Sequence, residues 1–349
     1  MDPRAAGFGA ARHSGARLCY RPRMAHGALL VDKPSGLTSH DVVAAARRVY
    51  GTRAVGHAGT LDPMATGLLV LLLGEATKLA GWLTLADKRY AAELRLGAES
   101  DTLDADGHIT ERSPRPPPPT SEALAAAIEA ERARSSQIPP QVSAIRVGGR
   151  RAHEVARAGG HLDLPARPVR VRSLELTHVE NHEIGLVVVA SKGYYVRALA
   201  RDLGAALGSG AYLTRLRRLQ SGPLDVEEAV TWPPLGVPPL MTATHIARRC
   251  LQTASLTLTG YERARQGKPL DSSCFLTDPP EHPVEPSASA PPIAWLHDGR
   301  LVALGRAEAL GHTEGASAEA RGHAEGSREQ PSEIFRVVRG FDPALSGAD

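Results

Sequence analysis

The spacing of apolar residues predicts a mixture of strands and helices over the first 235 residues. Gly27–Val31 is an apolar run typical of a buried strand that ends at a Lys33-Pro34 turn, and Ser39 can cap a helix over about 40–50. Lys88–Gly97 alternates apolar and charged side chains, which predicts a half-buried strand with Tyr90 on its apolar face. The remaining predicted elements are strands over Leu68–Leu73, 142–148, 168–179, 184–191 and 212–219, and helices over Glu75–Leu85, 121–132 and 195–207. Because these elements lack a regular βαβ period, an α+β fold is favoured over a doubly wound sheet.

The pattern changes after about residue 235. Four short strand-like pieces predict a small β-rich domain from about 250 to 349, following a first domain over about 24–240: Ser255–Thr259, Ile293–Leu296, Leu301–Leu304 and Ile334–Val338. Residues 278–292 and 311–332 are rich in small and polar residues and are expected to be flexible insertions. Residues 1–23 have no hydrophobic period, so we expect a disordered extension, with Met24 as an alternative start.

Composition narrows the class of protein. At 349 residues and 42% hydrophobic content, the chain can build two ordinary cores. The longest apolar run, Gly67–Gly74, is far too short to cross a membrane. Cys19, Cys250 and Cys274 are too widely spaced for a zinc motif and allow one disulfide at most, so we expect a reducing, cytoplasmic setting.

Positive charge is concentrated in two regions of a nearly neutral chain. The total net charge is +3, yet residues 1–60 carry nine Arg and Lys against three acidic residues. Residues 132–172 carry nine arginines against Glu154 and Asp163. Such clustering favours a polyanionic partner. Codon bias is an alternative explanation, because 36 of the 41 basic residues are arginine.

The segment Gly56–Gly67 is the strongest candidate for chemistry. Three glycines, a proline and small residues surround Asp62 directly before a predicted core strand. Glycine allows the backbone to approach a ligand closely, and an aspartate held at the end of a strand is a plausible nucleophile or base. For an isolated Asp-Pro, a tight turn in which the carboxylate caps a backbone N–H is the alternative.

Other aspartate chemistries fit the spacing poorly. The loop lacks the Gly-Lys-Ser/Thr ending of a phosphate-binding loop, and no second carboxylate lies nearby in sequence as a glycosidase would need. The cluster Asp101–Gly107 fails the EF-hand pattern, so it is interpreted as an acidic turn. His40 and His57 lack metal-ligand spacing. No metal site is predicted.

Several motifs together resemble those of the bacterial TruB-type tRNA pseudouridine synthases. They occur in the family's order and approximate spacing over about residues 24–235: Lys33-Pro34, G-H-x-G-x-L-D-P-x-A-T-G over Gly56–Gly67, Asp87–Tyr90, Asp101–Gly107, Ile138–Pro140, Val142–Ala144, Ser191–Arg197 and Leu216–Leu219. The region after 250 resembles a degenerate PUA domain, a small RNA-binding β-barrel. Val142 and His153 depart from the family, in which tyrosine occurs at these positions.

The resemblance implies a pseudouridine synthase core with a mixed, largely antiparallel sheet and an RNA-gripping insertion over about 137–166. It implies isomerisation of uridine 55 in the T loop of tRNA, without cofactor or metal, and we expect a monomer. The family's nucleophile corresponds to Asp62, its base-stacking tyrosine to Tyr90 and the arginine paired with the aspartate to Arg197. The implied RNA-binding and pocket residues are Lys33, His57, Tyr195, Leu216, Arg146, Arg150 and Arg151.

The residues by themselves leave alternatives open. Tyr90 and Leu216 could be core residues, and Arg197 could be a solvated residue at a helix start. Asp62 could act on the base or on the ribose. A non-catalytic RNA-binding protein of the same fold, or a carboxylate-dependent hydrolase, would be the competing functions.

Overall fold

The structure is a computed structural model, and it describes residues 25–280, 291–308 and 334–347. The predicted extension over 1–23, all of the predicted insertion 311–332 and residues 281–290 of the predicted insertion 278–292 lie outside these residues, as does Cys19. Within them, Cys250 and Cys274 are free thiols. The helices are α1 Ser39–Val49, α2 Ala80–Leu83, α3 Ser121–Arg132, α4 Ala152–Arg157, α5 Val196–Ala206, α6 Ala243–Cys250, α7 Leu258–Arg265 and α8 Pro343–Ser346, with 3₁₀ turns at Gly74–Leu79, Val226–Glu228 and Ser272–Cys274.

Within the described residues, the strands form five sheets. They are β1 Gly27–Lys33, β2 Val55–His57, β3 Thr66–Leu73, β4 Lys88–Leu96, β5 Ala98–Ser100, β6 Ile109–Glu111, β7 Ser136–Gln137, β8 Arg146–Val147, β9 Arg150–Arg151, β10 Arg167–Pro168, β11 Val171–Glu180, β12 Glu183–Ala190, β13 Ala211–Ser221, β14 Leu224–Asp225, β15 Val230–Thr231, β16 Thr253–Ser255, β17 Ile293–His297, β18 Arg300–Glu308 and β19 Ile334–Gly340.

The large central sheet has the order β11-β12-β4-β13-β3-β1-β15, with β14 beside β13 and β2 beside β3. Its β13–β3 and β1–β15 pairs are parallel, and its other pairs are antiparallel. The predicted α+β class with a mixed, largely antiparallel sheet is therefore confirmed. Strands β13 and β3 pair only at Arg217–Arg218 against Thr66–Gly67, so the sheet opens beyond this point.

Both faces of β1 and β3 are buried. One face packs with α1, α3 and α5 in the largest hydrophobic core, which includes Leu69, Leu71 and Leu199. The other face packs against α6, β17 and β18 in a second core, which joins Leu72 to Leu296 and Leu304. Burial on both sides explains why Leu68–Leu73 is a continuous apolar run rather than an alternating one.

Three local predictions were wrong, and side-chain hydrogen bonds explain two of them. Helix α1 is capped by Thr38, which forms a capping box with Asp41, while the Ser39 hydroxyl turns inward. The predicted strand Ser255–Thr259 ends at Ser255, because Thr257 caps α7 by accepting a hydrogen bond from the Gly260 amide. The predicted strand 142–148 is extended only at Arg146–Val147, which pairs with Arg150–Arg151 in a short hairpin.

The four-stranded sheet β16-β17-β18-β19 lies after residue 250. Its own core includes Trp295, Phe275 and Phe335, whose rings meet edge to face. Since β17 and β18 also contribute to the second core, this sheet shares a hydrophobic core with β1, β3 and α6. Across the described ranges, no helix is long and apolar enough to cross a membrane.

We expect Leu72→Ala to lower the free energy of unfolding by about 2–5 kcal/mol, because it leaves a cavity in the core shared by the two sheets. Urea unfolding followed by fluorescence and by circular dichroism measures the loss. The matched control is Leu235→Ala at a fully exposed position, which should change the value by less than about 0.5 kcal/mol. Equal effects of the two substitutions would contradict this description of the core.

Candidate active site

The loop that carries Asp62 runs from β2 to β3 and is tied to the segment after β1. The Ser39 hydroxyl accepts a hydrogen bond from the Leu61 amide at 2.8 Å and donates one to the Leu61 carbonyl at 3.1 Å. The Gly36 amide donates to the Pro63 carbonyl at 2.9 Å. Asp62 is thus held between two anchored neighbours, which is what a precisely placed carboxylate requires.

Lys33 lies beneath this loop, not on the surface. Its side chain is buried, and its ammonium donates to the carbonyls of Pro34, Leu37 and Pro63 at 2.7–3.1 Å. Burial lowers the pKa of Lys33 to about 8, although the nearby Asp62 charge opposes the shift. The predicted RNA contact of Lys33 is contradicted, because all three ammonium hydrogens are used inside the protein.

Arg218 supports the other end of the loop. It lies on β13, is almost fully buried, and donates to the carbonyls of Gly59, Thr60 and Leu68 at 2.6–3.2 Å. Gly67 has a φ of +97°, and a Cβ there would overlap the Arg218 backbone. Arg218 is not among the predicted site residues, although its position as a charged residue on a buried strand was an available signal.

Asp62 and Arg197 form a bidentate ion pair, although 135 residues separate them. Arg197 Nε donates to Asp62 Oδ2 at 2.8 Å, and Nη2 donates to Oδ1 at 2.9 Å. The Arg197 side chain, at the start of α5, is 4% exposed, whereas the Asp62 side chain is 31% exposed. The guanidinium therefore holds the carboxylate from behind and leaves its open side to the pocket.

The remaining Arg197 donors bind backbone carbonyls from two other segments. Nη1 donates to Thr102 at 3.0 Å, and Nη2 donates to Val142 at 3.0 Å. Arg197 thus connects the Asp62 loop to the acidic turn and to the segment that precedes the β8–β9 hairpin. Four of its five N–H donors are used in this way, an arrangement that a lysine could not reproduce.

Asp104 is a further site residue that the sequence analysis missed. The acidic turn is present, but Asp104 is buried within it, with Oδ2 3.4 Å from Arg197 Nε. Burial raises the pKa of Asp104, with a smaller contribution from the Asp62 charge, while the Thr102 hydroxyl and Arg197 oppose the shift. One guanidinium therefore lies between two carboxylates. Only the tertiary contact distinguishes Asp104 from its exposed neighbour Asp101.

A pocket of about 300 Å³ opens on the exposed side of Asp62. Tyr90, Tyr195 and Leu216 form its apolar walls, and Lys88 also lines it. Burial raises the pKa of the Tyr195 phenol, and the Asp62 charge raises it further, so this side chain is neutral at pH 7. The structure brings together the predicted residues Asp62, Tyr90, Arg197, Tyr195 and Leu216 in one pocket.

The other predicted residues lie outside this pocket. His57 ends β2 and does not line the pocket, and its Nδ1 has no hydrogen-bond partner among the described residues. Burial lowers the pKa of the His57 imidazole. Arg146, Arg150 and Arg151 are exposed on the β8–β9 hairpin, which follows the pocket residues Ser143 and Ala144 along the chain. Across the described ranges, no group of three His, Cys, Asp or Glu side chains could hold a metal ion.

Comparison with known proteins assigns the chain to a family. Sequence profiles of the TruB family pseudouridylate synthase N-terminal domain and the tRNA pseudouridylate synthase B C-terminal domain match residues 47–196 and 197–246. A protein named tRNA pseudouridine synthase B from Mycobacterium tuberculosis is 45% identical over 240 residues, 68% of this chain and 80% of the relative. The chain belongs to the TruB family of tRNA pseudouridylate synthases. The predicted enzyme class, an isomerase, is confirmed by this membership.

A second relative extends the match. The tRNA pseudouridine synthase B of Thermobifida fusca is 43% identical over 295 residues, 80% of this chain and 94% of the relative. Among solved structures, an H/ACA RNP bound to a substrate RNA containing 2'-deoxyuridine has a chain with a TM-score of 0.62 at 21% identity, covering 91% of this chain and 86% of that one. A chain of a Cbf5-Nop10-Gar1 complex has a TM-score of 0.61 at 23% identity. The match covers 81% of this chain and 78% of that one. At this identity the structures support the fold alone.

We expect Lys33→Met to destabilise the protein rather than to weaken its contact with RNA. Three buried carbonyls lose their donor, so the free energy of unfolding should fall by about 2–4 kcal/mol, as measured by urea unfolding. The salt dependence of tRNA binding should not change. Lys268→Met, at an exposed lysine, is the control for the loss of one charge. Its free energy of unfolding should stay within about 0.5 kcal/mol of the wild-type value.

The pH dependence gives the same substitution a second readout. Because the pKa of Lys33 is lowered in the folded state, the unfolded chain binds more protons between about pH 8 and 10.5. The stability advantage of the wild type over Lys33→Met should therefore increase as pH rises through that window. A pH-independent difference would show that Lys33 is not buried as a charged group.

Proposed function

We propose that this chain isomerises uridine 55 in the T loop of tRNA to pseudouridine, with Asp62 as the nucleophile. The observation that carries the proposal is the partly exposed Asp62 carboxylate, paired to the buried Arg197 at one end of an aromatic pocket. The relatives named tRNA pseudouridine synthase B support tRNA as the substrate. The T-loop position follows from the family resemblance of the Gly56–Gly67 motif.

The proposed reaction needs one carboxylate and no electron donor. The N1–C1′ bond of uridine breaks, the base turns, and a C5–C1′ bond forms; C5 then loses its proton and N1 gains one. Substrate and product are isomers, so no oxidation or net hydrolysis occurs. An ionised Asp62 can attack either C1′ or the base, and the two hydrogen bonds from Arg197 fix its direction and balance its charge.

The pocket walls suit an extruded pyrimidine. Tyr90 is half-buried on β4 and packs against the main core, so its ring is rigidly held where it meets the pocket. An aromatic face offers the base a stacking surface, and the phenol oxygen is a candidate to accept the C5 proton. Taking a base out of a folded RNA loop costs on the order of a few kcal/mol, which stacking offsets in part.

The β8–β9 hairpin is the proposed grip on the RNA backbone. Arg146 and Arg150 are exposed, and neither forms an ion pair with a described carboxylate. Arg151 has only a 3.5 Å contact with Glu154, and both side chains are largely solvent-exposed. Free guanidinium groups on a two-stranded ribbon can bind phosphates without a competing partner.

We expect Asp62→Asn to bind tRNA with near wild-type affinity and to form no detectable pseudouridine. The amide keeps the shape of the side chain but cannot act as a nucleophile, so kcat should fall by at least about 10⁴-fold. Tritium release from tRNA labelled at uridine C5 measures the reaction.

Two controls locate the activity. Asp163→Asn, at an exposed position in the same region as the hairpin, should retain full activity. Wild-type protein should release no tritium beyond background from a T stem-loop in which cytidine replaces uridine 55 and label remains at the other uridines. Turnover by Asp62→Asn would contradict the assignment of Asp62 as the nucleophile. Tritium release from the cytidine-containing stem-loop would contradict uridine 55 as the target.

We expect the double variant Arg146→Ala/Arg150→Ala to weaken tRNA binding by about tenfold or more at 0.15 M salt. The slope of log affinity against log salt should become less steep by about 1.4–1.8 as two phosphate contacts are lost. Filter binding across a salt series measures both. The control is Arg112→Ala/Arg115→Ala, which removes two exposed arginines already paired with Glu99 and Glu111. An equal loss in the control would indicate a non-specific charge effect.

A further inference from the structure

Two buried cations lie beside the pocket without a carboxylate partner. The Lys88 side chain is 6% exposed, and its ammonium donates to the carbonyls of Thr84 at 2.5 Å and Ala86 at 2.6 Å. Arg218 is bonded to three carbonyls and is 1% exposed. Neither forms an ion pair with any carboxylate in the described ranges.

The nearby carboxylates are already committed to other arginines. Asp62 is held by Arg197, and Asp87 accepts from Arg172 at 2.9 Å. Lys192, an exposed lysine, adds a third positive charge to the pocket lining. This part of the pocket therefore carries a net positive charge.

Burial of unpaired charge is unfavourable unless a ligand compensates it. Burial lowers the pKa of Lys88 to about 8; the charges of Arg218 and Lys192 contribute to the shift, and the Asp87 charge opposes it. The nearness of the two cations is also seen at Gly59, where a Cβ would lie 3.5 Å from Arg218 Nη1 and 3.8 Å from Lys88 Cε. An anion bound next to the Lys88 ammonium would relieve this repulsion.

The strand geometry puts Lys88 beside the base site. Lys88 and Tyr90 are two residues apart on β4, so their side chains leave the same face about 7 Å apart. This spacing is comparable to the separation between a base and its own phosphate. The ammonium has three hydrogens and two protein acceptors, so one N–H remains for a ligand.

We propose that Lys88 binds a phosphate that flanks the nucleotide whose base enters the pocket, with Arg218 adding positive charge from beneath Gly59. The ligand is a phosphodiester of the RNA, held by one charge-assisted hydrogen bond while the base stacks on Tyr90. This assignment rests on the proposed function, because it takes the same pocket to hold the target uridine. It makes Lys88 a substrate-positioning residue that acts at the reacting nucleotide rather than along the distant RNA backbone.

The test is a double-mutant cycle between the protein and a single RNA linkage. T stem-loops are prepared with an uncharged methylphosphonate either 5′ or 3′ of the target uridine, and kcat/KM is measured by tritium release. For the wild type, one of the two neutral linkages should lower kcat/KM by about tenfold or more. Lys88→Met should have a similarly reduced kcat/KM with the natural RNA. Neutralising the sensitive linkage should then cause no further reduction in this variant.

Two variants serve as controls. Lys88→Arg keeps the charge and should retain the sensitivity to the neutral linkage. Lys268→Met loses an exposed lysine outside the pocket and should behave like the wild type. Losses that multiply in Lys88→Met would mean that Lys88 only supports the Thr84–Ala86 turn, which would overturn the proposal.

The remaining outcomes are also decisive. If Lys88→Met does not fold, the wild type and Lys88→Arg still report on the linkages, and insensitivity at both positions overturns the proposal. Failure of the proposed function itself would look different, because wild-type protein would then release no tritium from the unmodified stem-loop.

Discussion

The bidentate pair between Arg197 and Asp62 is the interaction on which the site depends. It joins the loop before β3 to the first turn of α5, and the same guanidinium also binds the carbonyls of Thr102 and Val142. Four segments that are far apart in sequence thus converge on one buried group. Because a buried guanidinium needs its donors satisfied, the fold and the geometry of the pocket are stabilised by the same contacts.

The basic residues around the pocket differ in their burial and in the groups that their donors bind. Lys33 and Arg218 are closed off and bind backbone carbonyls, so they shape the Asp62 loop from below and from the side. Lys88 is nearly as buried but lines the pocket with a hydrogen to spare. Arg146 and Arg150 are exposed on their hairpin. The basic residues therefore differ in what their donors meet: those of Lys33 and Arg218 are bonded to the protein, Lys88 keeps one hydrogen toward the pocket, and Arg146 and Arg150 face solvent.

The position of the second sheet adds a mechanical constraint. Strands β17 and β18 share a hydrophobic core with β1 and β3, and β3 directly follows the Asp62 loop. Any displacement of the second sheet would disturb the core that supports that loop. Close packing makes such cores resist small displacements, so the loop that carries Asp62 is firmly supported.

Local patterns in the sequence determined much of this protein. Alternation in Lys88–Gly97 and the apolar run at Leu68–Leu73 predicted β4 and β3, because the side-chain period of a strand depends on which faces are buried. The motif around Asp62, with the other motifs, indicated the family, and the family resemblance in turn pointed to Tyr90 and Arg197. Only the tertiary structure decided that Lys33 is buried, that Asp104 joins the Arg197 network and that Thr257 begins a helix. Burial and pairing depend on segments far apart in sequence, which the spacing within a single segment does not record.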